Sequence, residues 1–210
     1  MLSVTTSIGG TTTSTTTYTY DANGNQLTVT QDGQIITTNT YDLRNQLIQT
    51  ISGGSTILNT YNGEGLRVAK EADGVKTQYL YEYDKIVLEV DAGNNIIARN
   101  IYGLNLLQRT VGAESYYYLY NGHADVTALI DAATGDIAGT YYYDAFGNIL
   151  EQTGDVNNSI MYAGYQYDEE TDLYYLNARM YDPKIARFLQ EDTYGGNIHD
   201  PLSLNLYTYC

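Results

Sequence analysis

Apolar and polar residues alternate along most of the chain, in short runs broken by polar turn residues. Leu27-Thr28-Val29-Thr30 has the two-residue period of a half-buried strand. Asp32-Gly33 follows, a preferred pair for a type I′ hairpin turn, and Ile35 to Tyr41 then runs back as a second strand. The same order recurs in Leu66 to Lys70, Asp73-Gly74 and Thr77 to Tyr81. Gly53-Gly54, Gly93-Asn94 and Thr134-Gly135 serve similar turns. The pattern predicts an all-β chain, an array of antiparallel β-hairpins with few or no helices.

A longer period lies over this alternation. Tyr20-Asp21-Ala22-Asn23-Gly24-Asn25-Gln26-Leu27 is echoed by Tyr41-Asp42-Leu43-Arg44-Asn45-Gln46-Leu47 and by Tyr61-Asn62-Gly63-Glu64-Gly65-Leu66. Tyr83-Asp84, Tyr102-Gly103 and Tyr120-Asn121 continue it, and Tyr143-Asp144-Ala145-Phe146-Gly147-Asn148-Ile149-Leu150 restores the full form. A period of about twenty residues signals a repeat architecture. Asp and Asn suit the loop because they bond their own backbone and tolerate left-handed conformations. Three segments follow: a weakly ordered Thr/Ser-rich start over 1–17, a hairpin array over 18–142, and a closing segment over 143–210. The closing segment holds both prolines, Pro183 and Pro201.

Composition changes the picture in two ways. The aromatic residues are 24 Tyr, 2 Phe and no Trp. Tyrosine has an apolar ring and a wet end, so this bias predicts thin sheets with both faces near water rather than one thick core. The formal net charge is −15. That opposes binding to nucleic acid or insertion into anionic membrane, since both need a basic patch. The single cysteine, Cys210, allows no disulfide within the chain. No segment reads as a signal peptide or as a membrane span, so any export signal is expected on a longer parent chain.

The units of the form Tyr-Asp-x-x-Gly-Asn-x-Leu resemble the YD repeats of Rhs proteins, of the C components of bacterial ABC toxins and of teneurins. Residues 143 to 192 resemble the Rhs repeat-associated core, through Tyr162-Ala-Gly-Tyr-Gln-Tyr-Asp-Glu-Glu-Thr-Asp-Leu-Tyr-Tyr175 and Ala178-Arg-Met-Tyr-Asp-Pro-Lys-Ile-Ala-Arg-Phe-Leu-Gln-Glu-Asp192. The resemblance implies a curved ribbon of repeats that forms part of a β-shell. It implies a bacterial toxin-like protein, secreted or at the cell surface, whose shell houses a C-terminal effector polypeptide. That effector is the expected partner. With so few repeats an arc rather than a closed cocoon is expected, and the core is expected to be truncated at its C-terminal end.

The same resemblance raises one catalytic possibility. Some members use the core as an aspartic autoprotease, which needs two carboxylates able to share a proton. Asp192 matches the first of these, and Arg179 matches an arginine that supports the site. The second Asp lies beyond the last residue of this chain, and Asp200 follows Asp192 too closely to stand in for it. No proteolysis is expected from these 210 residues alone. A binding alternative rests on tyrosines in strands, which alternate between faces. Tyr116, Tyr118 and Tyr142 could then stack on cell-surface carbohydrate. His123 and His199 are the only histidines, and no Gly-x-Ser-x-Gly elbow accompanies them. Asp21 to Gly24 lacks the ligand set of a calcium loop. No metal and no cofactor is expected.

Overall fold

A computed structural model describes residues 2–8 and 11–209. Fifteen strands form one sheet in which every strand pairs with its sequence neighbours. They begin with β1 (Leu2–Ile8), β2 (Thr11–Tyr20), β3 (Gln26–Gln31), β4 (Gln34–Tyr41) and β5 (Leu47–Ser52). Next come β6 (Ser55–Tyr61), β7 (Arg67–Ala72), β8 (Val75–Glu82), β9 (Lys85–Asp91) and β10 (Ile96–Tyr102). The last are β11 (Leu106–Val111), β12 (Glu114–Tyr120), β13 (Val126–Asp131), β14 (Ile137–Tyr143) and β15 (Ile149–Thr153). The expected all-β array of antiparallel hairpins is present, and the sheet is not closed into a barrel.

Two kinds of turn alternate. At the tight ones, Asp32 (φ 49°) and Gly33 (φ 85°) both take positive φ, as a type I′ turn requires. At the wider ones an Asp or Asn side chain closes the loop on itself. Asp42 Oδ1 accepts from Arg44 N and Gln46 N, both at 2.9 Å, and Asn62 Oδ1 accepts from Glu64 N at 3.0 Å and Leu66 N at 2.9 Å. Asp144 does the same for Phe146 N and Asn148 N.

One local expectation needs correction. Tyr83-Asp84 is not a wide loop: Glu82 pairs with Lys85, and Tyr83 caps a tight turn at φ 56°. The wide loop of that repeat is built by Asp91, whose Oδ1 accepts from Gly93 N at 2.8 Å and Asn95 N at 2.9 Å. The Thr-rich start holds the paired strands β1 and β2. Backbone ladder bonds hold it, helped by Asp32 Oδ1, which accepts from Thr15 N at 2.8 Å. β-Branched threonine suits such a strand even with little apolar surface to bury.

A second sheet follows, with β16 (Gln166–Asp168), β17 (Leu173–Leu176), β18 (Arg179–Asp182) and β19 (Arg187–Phe188) in sequence order. Residues 143–153, grouped with the closing segment in the sequence reading, complete the large sheet instead. The small sheet and its approach reach far along the large one. Gln26 N donates to Leu189 O at 2.9 Å, Arg67 N to Tyr175 Oη at 2.8 Å, and Val126 N to Met161 O at 3.2 Å. Contacts with β3, β7 and β13 from one small unit require the large sheet to curl around it. The core lies in this seam. Tyr118, Leu129, Tyr141, Tyr162, Tyr174 and Tyr181 are buried in one cluster. Leu47, Leu173, Tyr175, Met180 and Leu189 form the other.

Candidate functional site

The seam is where the repeats, the closing sheet and the candidate residues meet. It starts from a bond repeated along the chain. Beside the repeat tyrosine of every even strand from β2 to β14 the ladder register slips by one residue, and the extra residue lies on the odd strand that follows, so β3, β5, β7, β9, β11, β13 and β15 each carry a bulge there. A bulge leaves a carbonyl out of the ladder. Tyr41 Oη donates to Gln26 O at 3.0 Å, Tyr61 Oη to Leu47 O at 2.9 Å, and Tyr81 Oη to Arg67 O at 2.9 Å. Asn39 Nδ2 and Asn59 Nδ2 join the same two carbonyls, Gln26 O and Leu47 O, at 3.0 and 3.1 Å. For these repeat tyrosines the hydroxyl is used inside the seam, whereas Tyr83, Tyr117, Tyr142 and Tyr194 are exposed. Burial pushes the Tyr41 and Tyr61 phenols well above the ordinary tyrosine range.

One repeat departs from the pattern. Arg67 begins β7, at the place that Leu47, Leu106 and Val126 take at the start of β5, β11 and β13. It is 0% exposed. Its guanidinium grips Asp168 of β16, with Nη2 to Oδ1 at 3.0 Å, and also donates to Gln166 Oε1 at 3.1 Å. It lies 4.5 Å from the Tyr175 ring centroid. Lys70 Nζ adds a bond to Asp168 Oδ1 at 3.2 Å and one to Glu170 Oε2 at 2.8 Å. Burial alone would raise the Asp168 carboxyl; Arg67 and Lys70 outweigh it and hold the group below the usual carboxylate range. A second buried pair, Arg109 with Glu89, lies wholly within the large sheet, with Nη2 to Oε2 at 3.0 Å. The sequence reading missed both. The available signal was a charged residue at a position that other repeats fill with an apolar one.

The resemblance-based pair does come together. Arg179 Nη2 meets Asp192 Oδ2 at 2.7 Å. Arg179 Nη1 donates to Leu206 O at 3.0 Å, and its guanidinium lies 3.7 Å from the Phe188 ring centroid. Asp192 N donates to Leu206 O at 2.9 Å. Arg179 thus pins the base of the loop over 193–205. Asp200 lies exposed within that loop.

The three tyrosines do not share one face. Tyr116 and Tyr118 are each 7% exposed, and Tyr118 Oη donates to Asn158 Oδ1 at 2.7 Å. Tyr142 is 63% exposed, on the opposite side of the sheet from buried Tyr141. Two of the three rings are therefore closed to a sugar. His123 Nδ1 lies 2.8 Å from Asp125 Oδ1, and its ring sits 5.1 Å from that of Tyr162, so it braces a wide loop. Among the described residues no group of three or more His, Cys, Asp or Glu side chains gathers to hold a metal, and no helix is long and apolar enough to cross a membrane.

The family model described as Teneurin YD-shell matches residues 68–210. The chain belongs to this family of Rhs/YD-repeat shells. It is 39% identical over 200 residues to the tRNA(Glu)-specific nuclease WapA of Bacillus subtilis subsp. natto, across 90% of this chain and 8% of that protein. It is 38% identical over 200 residues to the tRNA nuclease WapA of Bacillus subtilis strain 168, with the same coverage of both chains. The chain thus spans under a tenth of the length of these relatives. Its fold is similar to the crystal structure of TcdB2-TccC3, with a TM-score of 0.65, 18% identity, and coverage of 94% of this chain and 13% of that one. It is also similar to the Tc holotoxin pore of Photorhabdus luminescens, with a TM-score of 0.64, 18% identity, and coverage of 94% of this chain and 12% of that one.

Proposed function

We propose that this segment is the closing end of a bacterial β-shell that encloses a C-terminal effector polypeptide of its parent chain, secreted or held at the cell surface. The observation that carries this reading is the seam: fifteen strands curl around a small sheet formed by the chain's own end. Such an arrangement ends a ribbon and plugs it. A shell wall of this kind fits a chain without catalysis of its own. The test is limited proteolysis of the full-length natural product, with fragments identified by mass. Protection of the region beyond residue 210 in the native shell, lost when the seam is broken by Asp168→Asn, is the expected result. Equal digestion of that region with the seam intact refutes the reading.

A second reading has one observation in its favour. The Arg179–Asp192 ion pair at 2.7 Å, at the base of a surface loop, supports a reading in which Asp192 serves as the first carboxylate of an aspartic autoprotease. In this reading the chain is the upstream half of that site and the parent supplies the second Asp. An unchanged cleavage pattern in the longer parent carrying Asp192→Asn would remove it.

A further inference from the structure

A cavity of about 450 Å³ lies between the first hairpins of the large sheet and the turns of the small one. That is within the usual size of a small-ligand site, about 300–1,000 Å³. Val29 and Ile36 on one side and Ile185 on the other make its apolar wall, and Thr37, Asn39 and Thr50 add hydroxyl and amide groups.

The charges around it do not balance. Three carboxylates line the cavity: Glu170, Asp172 and Asp182. Lys70 takes Glu170, with Nζ to Oε2 at 2.8 Å, and Lys184 takes Asp172, with Nζ to Oδ2 at 2.6 Å. Asp182 forms no ion pair among the described residues. Its Oδ1 accepts a backbone bond from Lys184 N at 2.9 Å. Burial pushes this carboxyl above its ordinary range, and the backbone bonds together with the nearby Lys184 charge offset only part of that. Asp182 is half-buried and held by backbone bonds, yet it is the cavity carboxylate with no ion pair of its own, and a cation from outside would complete its charge balance.

The geometry points to Asp182 and the walls around it as a binding site for an alkylammonium group. The charge selects a cation. The apolar wall suits a methylene chain, and the threonine and asparagine oxygens can take the N–H groups that one carboxylate leaves over. A metal ion is a poorer fit, because the carboxylates do not gather into a ligand set. The ammonium has two sources, a free polyamine or a lysine side chain of an enclosed polypeptide. Only the second rests on the shell reading.

The test is an NMR titration of the 210-residue chain at fixed salt. The probes are cadaverine, Nα-acetyl-lysine methylamide and, as the neutral control, n-pentanol. Saturable binding of either amine, with none by pentanol, is expected. Asp182→Asn keeps the acceptor for Lys184 N and should weaken binding at least tenfold. Ile36→Trp fills the cavity from a half-exposed position and should do the same while the spectrum stays folded. Saturation by cadaverine alone assigns the site to polyamines, and saturation by the lysine derivative alone assigns it to a polypeptide. Binding unchanged in both variants, equal binding of pentanol, or no saturation by either amine at about 10 mM overturns the proposal. None of these outcomes bears on whether the shell encloses an effector.

Discussion

Asp168→Asn is the most informative single change in this molecule. The substitution keeps shape and removes one charge. Arg67, 0% exposed, would keep only neutral acceptors: the one amide oxygen left at position 168, Gln166 Oε1 at 3.1 Å and Asn59 Oδ1 at 3.3 Å. Its Nε has no partner to compensate. The new amide would also face two cations, Arg67 and Lys70. Breaking one side of a buried pair costs about 3–5 kcal/mol. Domains have only about 5–15 kcal/mol in total, so a large part of the stability should go. Urea unfolding followed by circular dichroism at neutral pH measures it. The double variant Arg67→Met, Asp168→Leu should cost less than Asp168→Asn, because no buried charge is stranded. Acid dependence gives a second readout. The folded-state pKa of Asp168 is depressed, so its contribution is complete above the unfolded value of about 3.9 and disappears as pH falls through the folded value. The variant should therefore lose less stability on acidification than the parent. A loss below about 1 kcal/mol at neutral pH, or a double variant worse than the single one, would refute the seam argument.

Three smaller predictions follow from the repeat. Tyr61→Phe should cost about 0.5–1.5 kcal/mol in the same unfolding assay, and Tyr61→Phe with Tyr120→Phe should cost nearly the sum, since each hydroxyl serves a different carbonyl. Gly147→Ala should cost at least about 1 kcal/mol more than Gly74→Ala: both positions have positive φ, but only at Gly147 would the added carbon meet the Tyr162 ring, at 2.7 Å. Asp42→Asn should be nearly neutral and Asp42→Ala should cost about 1–2 kcal/mol, because the loop uses one side-chain oxygen to accept two backbone N–H groups and Asn62 already fills that role elsewhere.

The tight turns were legible because their chemistry is local: Asp32-Gly33 and Asp73-Gly74 lie within one dipeptide each. The Tyr-Asp pair was legible too, but as a string rather than as a function. Tyr83-Asp84 matches the string and sits in a tight turn, whereas Tyr81 and Asp91 do the work of that repeat although they are not adjacent. What the fold requires is a tyrosine at a bulge and an Asx residue at the head of a wide loop, and in β8–β9 those two requirements fall at different turns. In the Thr-rich start the strands are held by backbone pairing, which apolar content does not reveal. The Arg67–Asp168 clasp joins residues about a hundred positions apart, and no local pattern encodes such a distance. The pairing of Arg179 with Asp192 was reached through the family string alone.

Curvature, charge and the tyrosine bias have one source. A bulge bends its strand and increases the local twist. Here a bulge recurs opposite the tyrosine near the end of every even strand from β2 to β14, on the odd strand that follows. Repeated bends at one edge add in the same direction, so the ribbon curls by construction rather than by the pull of a core. At Gln26, Leu47, Arg67 and Leu106 the carbonyl at the bend takes a tyrosine hydroxyl, and at Ile86 it takes the Asn100 amide, in each case without adding a charge. Filling the curl is a separate problem, because the space inside is lined by these polar bonds and cannot be packed like oil. The closing sheet meets it with groups that can themselves hydrogen-bond: Tyr174 donates to Gly147 O at 2.9 Å, Tyr181 to Phe146 O at 2.9 Å, and Asp168 receives Arg67. An apolar plug would leave the loop carbonyls of Gly147 and Phe146 and the buried arginine without these partners. The tyrosine-rich end of the chain is therefore matched to the repeats that precede it.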